Sequence, residues 1–214
     1  MTWHDVGPWK ESMQFFRRKM PASAVAGTIM TYALAGHLDG DADSRLALGL
    51  HGIPAHDGEA VLPDTASRAS WNQISARDEY IIGLEKIFLR AFVGTVCVEA
   101  FVKNEAKRKL ILSQVRQFWE VSTRSQGPNY VNLFEDVCKI YGILLVLPGL
   151  SNDDAKLSEA VGKQFAENCN PFGVLGEGLC AELQQTGQDI FGQAAETMTK
   201  VIESVLKRHR LTDG

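Results

Sequence analysis

Apolar residues recur at spacings of three and four along most of this chain, and that rhythm commits it to helices. The C-terminal segment shows it best. Over 188–209, Phe191, Ala194, Met198, Val201, Ile202 and Val205 fall on one stripe, and Lys207, Arg208 and His209 crowd its end. Cations suit that end, because the free carbonyls of a helix C-terminus carry partial negative charge. Over 78–92, Ile81, Leu84, Phe88 and Ala91 share a face, with Asp78, Glu85 and Arg90 off it. Ser75-x-x-Asp78 reads as the N-terminal cap of that helix. Over 105–121, Ile111, Val115 and Phe118 repeat, while Lys107, Arg108, Lys109 and Arg116 supply charge.

Punctuation residues divide the rhythm into elements. Pro21 breaks the first helical stretch. Gly127-Pro128-Asn129 and Pro148-Gly149 are turn signals, and Ser151 to Asp154 looks like a helix start. Asn170-Pro171 places a capping residue before a first-turn proline, which predicts another helix start. Two segments lack a clear period: Val93 to Val102, rich in valine and threonine, and the continuous apolar run Ile140 to Leu147. Either fits a buried strand, but the flanking periods are helical and no partner strands appear, so both are read as buried helix. The expectation is an all-α, multi-helix globular bundle forming one domain over 1–214, with a sub-boundary near 125–129 between 1–126 and 127–214. Gly173, Gly176 and Gly178 follow no strand, so they read as a helix-packing or hinge element rather than a phosphate loop.

Composition excludes some functions. The net charge is −4 and the pI about 5.7, which argues against binding a nucleic acid polymer. With 45% hydrophobic and 22% charged residues, there is enough apolar content to build a core. Cys97, Cys138, Cys169 and Cys180 form no C-x-x-C pair and sit in apolar contexts, as free thiols of a reducing compartment do. Arg17-Arg18-Lys19 ahead of Ala22 to Ala35 imitates an export signal. However, Trp3, Asp5, Trp9 and Glu11 precede it, and the run carries Gly27, Thr28, Thr31 and Tyr32. It also falls short of the roughly 20 apolar residues that span a bilayer. A cytoplasmic location with no membrane association is expected.

The longest irregular region, 36–74, gathers His37, His51 and His56 with Asp39, Asp41, Asp43, Asp57, Glu59 and Asp64. Histidine and carboxylate together are divalent-metal donors. Asp39-x-Asp41-x-Asp43 opens like a calcium loop but has Ser44 where glycine belongs and Leu50 in place of the final acid, so it reads as a solvated acidic turn. The sharper pattern is His56-Asp57-Gly58-Glu59-Ala60, with Asp64 five residues after Glu59. Tyr80-x-x-x-Leu84-Glu85 and Phe101-Val102-Lys103-Asn104-Glu105 follow.

This ordered set resembles the HD-domain metal-dependent phosphohydrolases, especially the deoxynucleotidase-like branch of bacteria and phages. The resemblance covers about residues 20–115. It implies an HD-domain-like N-terminal half and a divalent ion (Mn, Co, Fe or Mg) held by His56 and Asp57. His37 and Glu105 are the candidates for further ligands. Glu59 would position or deprotonate the attacking water, and Asp64 would assist the leaving group of a nucleotide or similar phosphate ester. A metal serves such a reaction by lowering the pKa of bound water and neutralising phosphate charge. Three departures stand out. One residue rather than two separates Asp57 from Glu59, residues 23–28 contain no histidine, and the late aspartate position falls at Asn104 or Glu105.

A different class competes with the enzyme: a non-catalytic helical interaction protein of the immunity, anti-defence or adaptor type. The amphipathic C-terminal helix and the aromatic-rich start (Trp3, Trp9, Phe15, Phe16) are the surfaces that could meet a partner or a second copy. Lys103, Lys107, Arg108 and Lys109 form a small basic cluster, read as a solvated helix face.

Overall fold

The computed structural model describes residues 18–36, 75–123 and 129–212. In chain order these form β1 (Arg18–Pro21), α1 (Ala22–Ala35), α2 (Ala76–Phe101), α3 (Glu105–Thr123), α4 (Asn129–Val146), α5 (Asp154–Cys169), α6 (Glu177–Arg208) and β2 (His209–Thr212). The class is all-α, as the periodicity predicts, with one small strand pair added.

Helix α2 is the hub and packs against all five other helices. Its start is the predicted one: Ser75 Oγ accepts from the Asp78 amide at 3.2 Å and donates to Asp78 Oδ2 at 2.6 Å. The predicted face was too narrow. Phe88 and Ala91 are buried and Ile81 and Leu84 half-buried, but Ile82, Leu89, Phe92, Val93 and Val98 are buried as well. A helix surrounded by helices is apolar around its circumference, so no single stripe describes it. The Val93–Val102 segment belongs to this helix and its C-terminal cap.

The segment that imitates an export signal is α1, which packs on α2 and α3 with Ala24, Ala26, Ile29 and Met30 buried. Pro21 acts at its N-cap, ending β1. Small residues let α1 and α2 approach closely: a Cβ on Gly94 would come within 2.5 Å of Ile29 Cγ2. The α5–α6 crossing uses the same device. A Cβ on Gly162 would meet Gln184 O at 2.4 Å, and one on Gly187 would meet Phe165 Cβ at 2.6 Å. Burying a side chain such as Phe165 at this contact contributes about 1.5–3 kcal/mol.

Helix α5 starts where expected, with Asp153 Oδ1 accepting from the Lys156 amide at 3.1 Å. Asn170-Pro171 corrects the prediction, because Asn170 ends α5 rather than starting a helix. Its Oδ1 accepts from the Leu175 amide at 3.1 Å and holds the turn that leads to α6. Helix α6 therefore begins at Glu177, well ahead of 188. Its predicted stripe is otherwise observed: Ala194, Met198, Val201, Ile202 and Val205 are buried, and Phe191 is half-buried.

The strand pair was not expected. β1 and β2 are parallel, with Met20 opposite Leu211, and so join distant parts of the described chain. Thr212 Oγ1 donates to Met20 O at 3.3 Å, and the Lys107 ammonium donates to Leu211 O. No described helix is long and apolar enough to cross a membrane.

Candidate functional site

His37, His56, Asp57, Glu59 and Asp64 lie outside the described residues, as do His51 and the Asp39–Asp43 turn. Of the expected metal ligands only Glu105 can be placed. It is the first residue of α3, exposed, with Oε1 2.7 Å from Lys109 Nζ. Beside it, Asn104 Oδ1 accepts from the Lys107 amide at 3.0 Å, which is a helix cap. The 102–105 segment thus has a sufficient role as the α2–α3 turn. No group of three or more His, Cys, Asp or Glu side chains gathers among the described residues. Glu105 therefore offers a would-be metal one surface carboxylate, already paired with a lysine.

The polar groups inside the fold lie elsewhere. Glu85 on α2 is only 4% exposed. Tyr141 of α4 donates to its Oε1 at 2.6 Å, and Asn168 Nδ2 of α5 donates to the same oxygen at 2.7 Å. Asn168 Oδ1 in turn accepts from Gln164 Nε2 at 2.9 Å. Burial pushes the Glu85 carboxyl above its usual range, and the two donors only partly offset that. Burial and the Glu85 charge raise Tyr141 and Cys169 too, and push Cys138 up to about 12. Both thiols are therefore protonated and unreactive near neutral pH. Phe92 stacks on Tyr141 at 5.5 Å, while Phe88, Trp119 and Phe134 pack ring to ring at 5.0–5.9 Å. Glu85 thus ties three helices together beside an aromatic cluster. The sequence carried the signal: Ile82, Glu85, Leu89 and Phe92 form a stripe of their own, with one acid set into it.

A second polar group closes α1. Gly36 has the left-handed conformation (φ 76°), and its amide donates to Tyr32 O at 2.8 Å. The Arg90 guanidinium of α2 lies over this glycine, and a Cβ there would be 2.8 Å from Nη2. Arg90 Nη1 makes one long hydrogen bond, 3.4 Å, to Ala33 O. Tyr32 is buried beside it and hydrogen-bonds Thr197 of α6. Burial holds Arg90 below and Tyr32 above their ordinary values.

The third feature lies on the surface. The Ile140–Leu147 run is helical to Val146, but it is not buried as expected. Phe134, Val137 and Tyr141 face the core, whereas Leu133, Ile140, Ile143, Val146 and Leu147 face solvent, Ile143 at 56% and Val146 at 76% exposure. A continuous apolar run hides which side faces out, because every azimuth reads the same. No protein-family model, curated protein or solved structure matches this chain.

Proposed function

We propose that this chain is an all-helical interaction protein that receives a helix of a partner protein along the outer face of α4. The observation that carries the reading is the solvent-facing row Leu133, Ile140, Ile143, Val146 and Leu147. No charged residue occurs from Ile140 to Asn152. Leu133, Ile140 and Leu147 recur every seventh residue with Ile143 between them, the spacing a second helix packs against. The footprint selects the partner. A helix of 18 residues is about 27 Å long, and a ridge roughly 10 Å wide along it offers about 300 Å². A standard interface needs about 800 Å² on each side. One docked helix fits that area, whereas a stable dimer of this chain needs more surface than α4 provides.

The test is a titration of isotope-labelled protein with a synthetic helical peptide carrying leucine at heptad a and d positions. Saturable shifts confined to α4, lost in the Ile143→Asp/Val146→Asp variant, support the reading. Equal binding by that variant would sink it. A wild-type dimer in sedimentation that the variant dissociates would replace the partner helix with a second copy.

A second reading, a metal-dependent phosphohydrolase acting on a nucleotide or similar phosphate ester, is favoured by the ordered set His56, Asp57, Glu59 and Asp64. His56 and Asp57 would hold the divalent ion, with His37 and Glu105 as further candidate ligands, and the ion would supply an activated water. Glu59 would orient or deprotonate that water, and Asp64 would assist the leaving group. Elemental analysis after metal reconstitution tests it, together with phosphate release from a nucleotide panel that disappears in His56→Ala and Asp57→Ala.

A further inference from the structure

We infer that Arg90, with Tyr32 beside it, forms a receiving site for an oxyanion, a phosphate or carboxylate group from solution, at the C-terminal end of α1. Tyr32 comes from α1 and Arg90 from α2, and Thr197 of α6 holds Tyr32 through its hydrogen bond. The guanidinium is held in place before any ligand arrives. It lies over Gly36, where any side chain would intrude to 2.8 Å, and it is tethered to Ala33 O. Preorganisation of this kind lowers the entropy lost on binding.

Among the described residues, the donors of Arg90 are largely unspent. A guanidinium has five N–H donors in a planar fork, and the long bond to Ala33 uses one. Among the described residues no aspartate or glutamate lies within ion-pairing distance of it. Arg116 differs: it is exposed and meets Glu120 at 3.2 Å and Glu135 at 2.9 Å. A half-buried cation with no counter-ion among the described residues is costly, and an oxyanion accepting the fork relieves that cost with two parallel hydrogen bonds. The tether to Ala33 offsets the partial negative charge of the α1 C-terminus, which would otherwise repel an anion. Tyr32, raised by burial, keeps its hydroxyl proton through neutral pH, while the Thr197 hydroxyl is engaged with Tyr32. Arg90 and Gly36 are both half-buried, so part of each is open to solvent. The site needs neither a metal nor the α4 face, and it stands apart from both functional readings.

The test is calorimetric titration of the full chain with inorganic phosphate, in EDTA and at constant ionic strength. Saturable binding is expected in the wild type. It should weaken about tenfold in Arg90→Lys, which keeps the charge but loses the fork, and vanish in Arg90→Met. Circular dichroism reports whether each variant folds, and Arg90→Lys decides if Arg90→Met does not. Unchanged binding in His56→Ala/Asp57→Ala supports the placement, whereas loss there would move the phosphate to that pair and overturn it. No saturable binding in the wild type, or equal affinity in folded Arg90→Met, also overturns it. Tighter phosphate binding after Asp39, Asp41 and Asp43 are changed to Asn would give the site to the chain's own carboxylates, and would overturn it too.

Discussion

Glu85 on α2 and the outer row of α4 depart from the usual partition in opposite directions. One puts a carboxyl inside the core, and the other puts isoleucine and valine in water. They meet at α4, whose Tyr141 faces inward to Glu85 while Ile143 faces out. The difference lies in their partners. Glu85 has two donors within 2.7 Å, so its polarity is answered inside the fold. The α4 row has no such answer among the described residues. The first departure therefore belongs to the architecture of the chain, and the second points away from it.

Substitutions can break that contrast. Glu85→Ala should cost about 3 kcal/mol in urea unfolding, because it strands a buried tyrosine hydroxyl and a buried amide and leaves a cavity. A cost below ~1 kcal/mol would mean the cluster ties nothing together. Tyr141→Phe keeps the ring on Phe92 and removes one donor, so about 1–2 kcal/mol is expected by the same measurement.

The pH dependence sharpens the inner half of the comparison. The folded-state pKa of Glu85 lies above its unfolded value, so the folded chain holds the proton more tightly. The stability linked to that proton is present in full below the unfolded pKa and is lost as pH rises through the folded pKa. Glu85→Gln keeps an acceptor for Tyr141 but cannot ionise. Its stability relative to wild type should rise with pH across that window and level off on either side. A flat difference between pH 4 and pH 9 would count against a raised carboxyl.

The smallest effect should come from the outer half. Ile143→Asp/Val146→Asp should change unfolding stability by no more than about 0.5 kcal/mol, because both side chains already face water. A loss of several kcal/mol would show that the row is packed within the chain rather than presented to a partner.

Much of the fold was legible because its cause is local. The Ser75–Asp78 cap and the Asp153 cap need only neighbouring residues, and the α6 stripe needs only its own period. Other positions depend on where their partners come to lie. Asn170-Pro171 predicts a helix start, yet a side chain before a proline can as readily hold a turn, and the Leu175 amide decides between them. Arg90 lay off the predicted stripe, and its role emerged only when Tyr32, Ala33 and Gly36 were brought beside it from α1. Of the sequence-predicted metal ligands only Glu105 lies among the described residues, in a surface pair with Lys109.

By itself, the sequence determined the class: spacings of three and four, helix caps and turn residues act over a few residues, and they produced the helices. Tertiary structure alone decided which charge goes inside and which apolar side faces out. Glu85 is buried because Tyr141 and Asn168 arrive from 56 and 83 residues away to meet it. The α4 row is exposed because the core takes only the Phe134, Val137 and Tyr141 side of that helix. A hydrogen-bond partner and a covered face are properties of the assembled fold, and no local window of sequence contains them.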